Sequence, residues 1–367
     1  REEDGVRYET GPNAILLSDV MLQNGSFANL SEFPVLQMLY RQGMMLPGHP
    51  NNTGEKPLLI GSRTQVAAQM EYIFRGNYGL VSIEEIIEAG TDPETAAELM
   101  RMKLRFAFGE IKRSGALLDN RIVDDGRIEI RNGVFIERRS LNCFTFTWRD
   151  SSVDVDLNLK PGQRYEAAYP LSFHKIKRES FSIIHSGEGD GWDVNRPTMG
   201  SILMYQGRIY LVDTGPNIEH TLDALGISVR EIEGIFHTHC HDDHFCGLPT
   251  FMRSDHRIKY FAAPLVRASV AKKLCALLSI KETQFEDFFE VHDLETDRWN
   301  NVQGMEVRPI LSPHPVETTI FQFRAAGQEG KRIYAHYADI VSLDNLRNMI
   351  TENTEVPGIS QSFFDRV

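Results

Sequence analysis

The segment His-Thr-His-Cys-His-Asp-Asp-His at residues 237–244 constrains the fold more than any other part of this chain. It holds four of the chain's 12 histidines and follows an apolar stretch, residues 232–236, that predicts a buried strand. Neutral imidazole and carboxylate groups suit zinc, iron and manganese, and a turn after a buried strand can direct several of them inward. A solvated histidine-rich loop is the alternative, but so dense a cluster favours a metal site.

The pattern around this segment predicts a layered α/β domain. Residues 201–212 alternate as a β-hairpin, residues 218–225 have the spacing of a short helix, and residues 232–236 form the buried strand. The order strand, strand, helix, strand is typical of α/β layers.

The first part of the chain has a different pattern. Residues 31–115 are predicted to be mainly helical, with one long helix that begins at the N-cap Asp92 and ends near residues 114–115. Residues 128–136 then alternate around an Asn-Gly pair, which predicts a β-hairpin.

The length of 367 residues also predicts two domains, because single domains usually hold about 100–200 residues. We place the boundary near residue 178, in a polar stretch. The expected N-terminal domain, residues 1–178, is mainly helical with a β-hairpin region and has no assigned role. The expected C-terminal domain comprises residues 179–367.

Composition bears on the compartment. Hydrophobic residues make up 41% and charged residues 25% of the chain, and no apolar run reaches the roughly 20 residues that a membrane span needs. Residues 1–4, Arg-Glu-Glu-Asp, do not resemble a signal peptide, and the missing initiator Met suggests trimming. Four scattered cysteines do not suggest a disulfide framework: Cys143, Cys240, Cys246 and Cys275. We therefore expect a cytoplasmic protein without a membrane partner.

The formal charge of −12 argues against broad attraction to nucleic acid, because phosphate backbones are bound mainly through clustered Lys and Arg. A small-molecule or phosphodiester substrate is the expected partner. Self-association is left open.

Residues 238–244 resemble the His-x-His-x-Asp-His signature of the metallo-β-lactamase superfamily. Asp213, in Leu-Val-Asp-Thr-Gly, resembles the family's earlier strand-end Asp motif, and His314 and Asp339 match its third-motif His and its bridging Asp. The resemblance covers about residues 180–367. It implies an αβ/βα sandwich with the metals at one edge between two sheets.

The resemblance also implies a set of metal ligands. His239, His241 and His314 would hold one ion, while Asp243 and His244 would hold a second. The expected cofactors are two divalent metal ions, with zinc first and iron or manganese as alternatives.

Asp339 would bridge the two ions. Two cations about 3.5–4 Å apart can share a water, lower its pKa and stabilise both the attacking and the leaving oxygen. Asp243 is the expected catalytic residue, since it would orient the hydroxide and pass its proton to the leaving group.

Other residues near the signature are expected to act without binding metal. Asp213 would fix the metal-bearing loop by hydrogen bonds, and His237 and His336 would either support the ligands or pack in the core. Cys240 is expected to point away from the metal, and neither it nor Cys246 is assigned as a ligand.

Two departures from the superfamily pattern stand out. No histidine follows His336, so either the C-terminus is trimmed or the second metal site is incomplete. Ala338 stands where many relatives carry Gly, which should matter little. Glu317 and Thr318, just beyond His314, either contact substrate or cap the next strand.

The leading hypothesis is a metal-dependent hydrolase that uses a water activated by two metals. Among phosphodiester, ester, thioester and amide substrates, the carboxylate-rich ligand set favours a phosphodiester. One alternative is a di-iron protein that binds or reduces oxygen. The others are a thioesterase- or lactonase-type hydrolase and a degenerate metal-binding module.

Overall fold

The computed structural model describes residues 2–3, 6–7, 13–327 and 330–367. Arg1 and Asp4, on which the signal-peptide argument partly rests, lie outside the described residues. Among the described residues, no helix is both long and apolar enough to span a bilayer.

The chain divides into two compact units that do not follow the boundary expected near residue 178. The first unit comprises Arg1–Ile73 and Lys112–Tyr165, and the second comprises Phe74–Ile111 and Glu166–Val367. Phe74–Ile111 belongs with the C-terminal part because its apolar residues, such as Leu99, share one buried core cluster with Leu265 and Phe363.

The first unit contains a parallel and an antiparallel sheet. The parallel sheet has three strands in the order Ala14–Leu16, Leu58–Gly61, Asp119–Ile122. The antiparallel sheet has four strands in the order Ser151–Asp156, Cys143–Trp148, Val134–Ser140, Arg127–Arg131. The short strand pairs are Glu2–Glu3 with Val6–Arg7 and Leu22–Gln23 with Ser26–Phe27. The helices are Glu32–Arg41, Ser114–Leu117 and the start of Arg63–Tyr78.

The hairpin predicted around the Asn-Gly pair is confirmed. Arg127–Arg131 pairs antiparallel with Val134–Ser140. Asn132 and Gly133 between them have positive φ angles of 54° and 74°. These two residue types adopt such backbone angles readily, which is why the pair marks a two-residue turn.

The second unit contains a six-stranded sheet that leads to the signature segment. Its order is Phe181–Gly187, Gly200–Tyr205, Arg208–Val212, Ile232–Phe236, Ile258–Ala262, Phe289–Asp293. The first three strands pair antiparallel, and the last four run parallel. The hairpin and the strand predicted in this region are therefore confirmed.

A second, antiparallel sheet of four strands completes the layers of this unit, in the order Asn300–Val302, Met305–Ser312, Thr318–Gly327, Gly330–His336. The α-helices of the unit are Ile83–Glu88, Pro93–Phe106, Ile218–Ala224, Asp242–Phe245, Leu248–Phe251, Pro264–Leu278, Phe285–Phe288, Leu343–Arg347 and Gln361–Arg366. Two short 3₁₀ helices are Val229–Glu231 and Glu282–Gln284.

Aromatic side chains join the two sheets of the second unit. Phe236, from the six-stranded sheet, is fully buried and stacks on Phe261 with ring centroids 4.8 Å apart. Its ring also meets Phe321 and Phe323 of the other sheet, at 5.7 and 5.0 Å. The core thus lies between two sheets, and the predicted α/β sandwich is confirmed.

The long helix predicted from Asp92 begins as expected but ends early. Asp92 caps it by accepting hydrogen bonds from the backbone N–H groups of Glu94 and Thr95. The helix ends at Phe106 rather than near residues 114–115. Phe108 and Gly109 have φ angles of 54° and 91°, which no right-handed helix accommodates.

Phe236→Ala should lower the free energy of unfolding by about 3–5 kcal/mol, because it leaves a cavity where both sheets meet. Urea denaturation of the metal-free protein measures this. Ile333→Ala, at a position 61% exposed, is the control and should change stability by less than about 1 kcal/mol. Equal losses in the two variants would contradict the assignment of the core.

Candidate metal centre

The candidate ligands follow the ends of three strands. The signature segment comes directly after Ile232–Phe236, His314 follows Met305–Ser312, and Asp339 follows Gly330–His336. The first strand belongs to the six-stranded sheet and the other two belong to the four-stranded sheet. Ligands from both sheets therefore meet at one edge of the sandwich.

The ligand atoms form two groups, and the atoms of each group lie within 4.8 Å of one another. The first group is His239, His241, His314 and Asp339, and the second is His239, Asp243 and His244. All six residues that the superfamily resemblance implies are therefore brought together. Within the first group, His314 Nε2 lies 3.0 Å from His241 Nδ1.

Asp339 lies between the two groups. Its Oδ2 is 3.9 Å from the Nε2 atoms of His239 and His314, and its Oδ1 is 3.4 Å from His244 Nε2. One carboxylate thus faces ligand atoms of both groups. This position is compatible with the bridging role expected for Asp339.

Asp213 accepts hydrogen bonds that fix the signature segment in place. Its carboxylate accepts hydrogen bonds from the backbone N–H and the hydroxyl of Thr238, each 2.7 Å long, and lies 2.7 Å from His244 Nδ1. Because Nδ1 of His244 donates to this carboxylate, Nε2 is the atom left to face the ligand groups. The placement agrees with the supporting role expected for Asp213.

Three buried polar atoms of the second group have no hydrogen-bond partner among the described residues: His239 Nε2, Asp243 Oδ1 and His244 Nε2. An unsatisfied buried polar atom costs about 1–3 kcal/mol. All three are atoms that can donate an electron pair to a cation, so the residues present fit a bound divalent metal ion.

Burial sets the charge of the histidines in the first group. It lowers the pKa of His239 and His241 well below the usual value, and the positive charges of neighbouring imidazoles add to the effect. Burial likewise lowers the pKa of His314 to about 4. All three rings are therefore neutral at pH 7, which is the form that binds metal.

In the second group, the charges of neighbouring carboxylates outweigh burial in setting the pKa of the histidine. Burial alone would lower the pKa of His244, but Asp243 and Asp213 outweigh it and raise this pKa well above the usual value. Burial raises the pKa of Asp243. It would also raise the pKa of Asp339, but the close approach of His244 Nε2 to its carboxylate and the positive charge of that ring hold the pKa below its usual range. Without a cation, His244 supplies the positive charge that these carboxylates need.

Three residues that the sequence predicts to lie near the ligands without binding metal are outside both ligand groups. His237 is fully buried and packs its ring 5.7 Å from that of Tyr260. Cys240 directs its Sγ to the backbone oxygen of Arg75, 3.6 Å away, and so away from the ligands. His336 places Nδ1 3.2 Å from Ser201 Oγ. Their positions fit residues that support or pack around the ligands.

Sequence reasoning missed two buried lysines. Lys273 donates from Nζ to the backbone oxygen of Cys240 at 2.6 Å and to Asp242 at 2.7 Å, directly behind the signature segment. Lys103 donates to Glu317 at 2.6 Å. Helical spacing could have found Lys103, since it falls on the apolar face of its helix with Ala96 and the other buried residues there.

Comparison with known proteins gives a match over the second unit. Residues 181–346 match the family described as anti-Pycsar protein Apyc1. The cGMP-dependent 3′,5′-cGMP phosphodiesterase A of Dictyostelium discoideum is 25% identical over 149 residues, which is 41% of this chain and 17% of that protein. Ribonuclease Z of Shouchella clausii is 25% identical over 130 residues, 34% of this chain and 40% of that protein. The chain thus spans less than half the length of these relatives.

Among solved structures, the short form of human tRNase Z aligns with a TM-score of 0.32 and 16% identity. The alignment covers 49% of this chain and 85% of that one.

The metal-free protein should lose stability as the pH falls from about 6.5 to about 4, in part because of His336. Burial lowers the pKa of His336 to about 4, so the unfolded chain binds its proton first and folding is penalised across this window. His336→Gln should remove up to about 3 kcal/mol of that loss. Urea denaturation from pH 4.5 to 7 measures it, with the exposed His256→Gln as control. The same pH slope in the wild type and His336→Gln would contradict the prediction.

Proposed function

We propose that the C-terminal part of this chain, about residues 180–367, is a metallo-β-lactamase-type domain that acts as a metal-dependent phosphodiesterase. The convergence of six histidine and aspartate ligands into two groups that share His239 carries the proposal. The superfamily resemblance of the signature segment supports the same chemistry, and so do the sequence matches to ribonuclease Z.

The proposed assignment keeps the roles expected from the sequence. His239, His241 and His314 would hold one divalent ion, Asp243 and His244 would hold the other, and Asp339 would serve both. When bound, the pair of ions supplies a shared water of lowered pKa and positive charge for the attacking and leaving oxygens. Zinc suits the nitrogen-rich first group, and iron or manganese suits the same donors.

Asp243 is the residue that would move the proton. Burial raises the pKa of its carboxyl, and Oδ1 has no hydrogen-bond partner among the described residues. A buried carboxyl with a raised pKa can accept a proton from the attacking water and return it to the leaving oxygen. Asp213 and Thr238 hold the loop so that this carboxyl keeps its place.

Two kinds of relative favour a phosphodiester over the other candidate substrates. The names of the Dictyostelium phosphodiesterase and of the ribonucleases Z both describe cleavage of a phosphodiester, although one acts on a cyclic nucleotide and the other on RNA. A ligand set with two carboxylates and no cysteine is compatible with that chemistry. Carboxylic esters and thioesters are the competing substrates against which the phosphodiester is tested.

The protein purified without chelating resin should hold close to two zinc or manganese ions per chain by mass spectrometry. His239→Ala and Asp339→Ala should each lose at least one, because both residues face ligand atoms of both groups. His256→Ala, at an exposed histidine outside the centre, is the matched control and should keep the wild-type content.

The other outcomes separate the alternatives. Two irons and a visible absorption band that changes in air would replace hydrolysis with oxygen chemistry. A maximum of one metal per chain would favour a degenerate binding module, and no metal at all would contradict every form of the proposal.

Asp243→Asn should lower kcat per metal-loaded chain by about 10²–10⁴, since it removes the group that transfers the proton. The assay compares bis(p-nitrophenyl) phosphate and 3′,5′-cGMP with p-nitrophenyl acetate and an acyl thioester. Turnover of the phosphodiesters alone supports the proposal. Turnover of only the ester or thioester would reassign the domain as a thioesterase- or lactonase-type hydrolase.

A further inference from the structure

The segment from Ser312 to Thr319 connects several parts of the centre. Ser312 Oγ lies 3.3 Å from the backbone oxygen of Asp339. His314 reaches the first ligand group, and the backbone N–H of Thr319 donates to the oxygen of Thr238 at 3.0 Å. A shift of this segment would therefore move a ligand relative to both the bridging carboxylate and the signature segment.

Glu317 ties this segment to residues 74–111, which lie outside the family match at 181–346. Its Oε1 accepts from Lys103 Nζ at 2.6 Å, and its Oε2 accepts from the backbone N–H of Leu80 at 3.0 Å. Glu317 is 6% exposed and Lys103 is 3% exposed. With both oxygens engaged and the side chain buried, Glu317 is held in one position three residues from His314.

The chain around Gly79 is shaped to admit this carboxylate. Gly79 has a φ of +58°, and a Cβ placed on it would lie 2.2 Å from Glu317 Oε2. Only a residue without a side chain allows that approach. Three features of residues 74–111 thus converge on Glu317: the cation of Lys103, the N–H of Leu80 and the open space at Gly79.

Lys103 and Glu317 form a buried ion pair, with Nζ 2.6 Å from Oε1. A buried ion pair of this kind gives little net stability but specifies one arrangement, because either partner alone is a costly buried charge.

We propose that Lys103 and Glu317 are positioning residues for His314, so that residues 74–111 form part of the metal centre. The inference rests on the proposed function, since it takes His314 as a ligand. The pair touches neither substrate nor metal and acts through the segment it anchors. Residues that hold a ligand in this way commonly change metal affinity by about 10–100-fold when altered.

The test compares Glu317→Gln with Glu85→Gln. Glu85 lies in the same part of the chain and also accepts from one cation and one backbone N–H, those of Arg75 Nη1 and Val81, each at 2.8 Å, although its side chain is less buried than that of Glu317. It has no bond to the segment that carries His314 among the contacts described. Zinc affinity is measured on the folded, metal-free proteins by competition with a chromogenic chelator, and stability is measured by urea denaturation.

Glu317→Gln should bind zinc at least about tenfold more weakly than the wild type does. The number of zinc ions that it holds per chain should approach that of His314→Ala. Glu85→Gln should bind zinc as the wild type does. Lys103→Met combined with Glu317→Gln removes both buried charges, so it should regain stability while its zinc affinity stays low. Restored stability together with low zinc affinity would distinguish a positioning role from a merely structural one. The double variant also keeps the test informative if Glu317→Gln folds poorly.

Wild-type zinc affinity in a folded Glu317→Gln variant, or in the double variant, would overturn the inference and leave the proposed function intact. A wild type that binds zinc but cleaves no phosphodiester would instead remove the proposed function and leave the inference standing. A wild type that binds neither zinc nor any other divalent metal would overturn both.

Discussion

The carboxylate of Asp213 is the contact on which the geometry of the centre depends. It accepts two hydrogen bonds from Thr238 and one from His244, and so fixes the start of the signature segment and one ligand ring together. Asp213 has a φ of +67°, a backbone conformation that few residues adopt without cost. The strain at this strand end is offset by three short hydrogen bonds in a fully buried place. Without that contact, His244 could present either ring nitrogen to the second ligand group.

Two buried lysines likewise hold two of the three segments that carry candidate ligands. Lys273 holds the signature segment through Asp242, and Lys103 holds the segment after His314 through Glu317. Each lysine lies on a helix, and each donates to a carboxylate next to a ligand rather than to a ligand itself. A helix is stiffer than a loop, so a charge-assisted hydrogen bond from it restricts the loop's freedom at a defined point. Two of the segments with candidate ligands are therefore held in position by rigid helices.

The parts of the fold that sequence could predict are those governed by local pattern. Apolar periodicity and turn chemistry predict the strand Ile232–Phe236, the hairpin that ends at Val212 and the turn at Asn132. The helix end at Phe106 was missed because a non-glycine residue with positive φ leaves no sequence signal. The pairing of Lys103 with a residue 214 positions away could not be predicted, because it depends on tertiary packing. The candidate ligands could be named only because the signature and the later motifs of the superfamily resemblance mark their positions.

The charges at the centre explain why these residues are brought together at all. Three carboxylates, those of Asp213, Asp243 and Asp339, lie close to His244, and the first two are almost fully buried. Burying several anions is costly unless positive charge accompanies them. In the metal-free chain His244 carries that charge, as the direction of its pKa indicates. A divalent ion facing Nε2 would replace the proton with a larger charge, so the folded chain is already arranged for a cation before one binds.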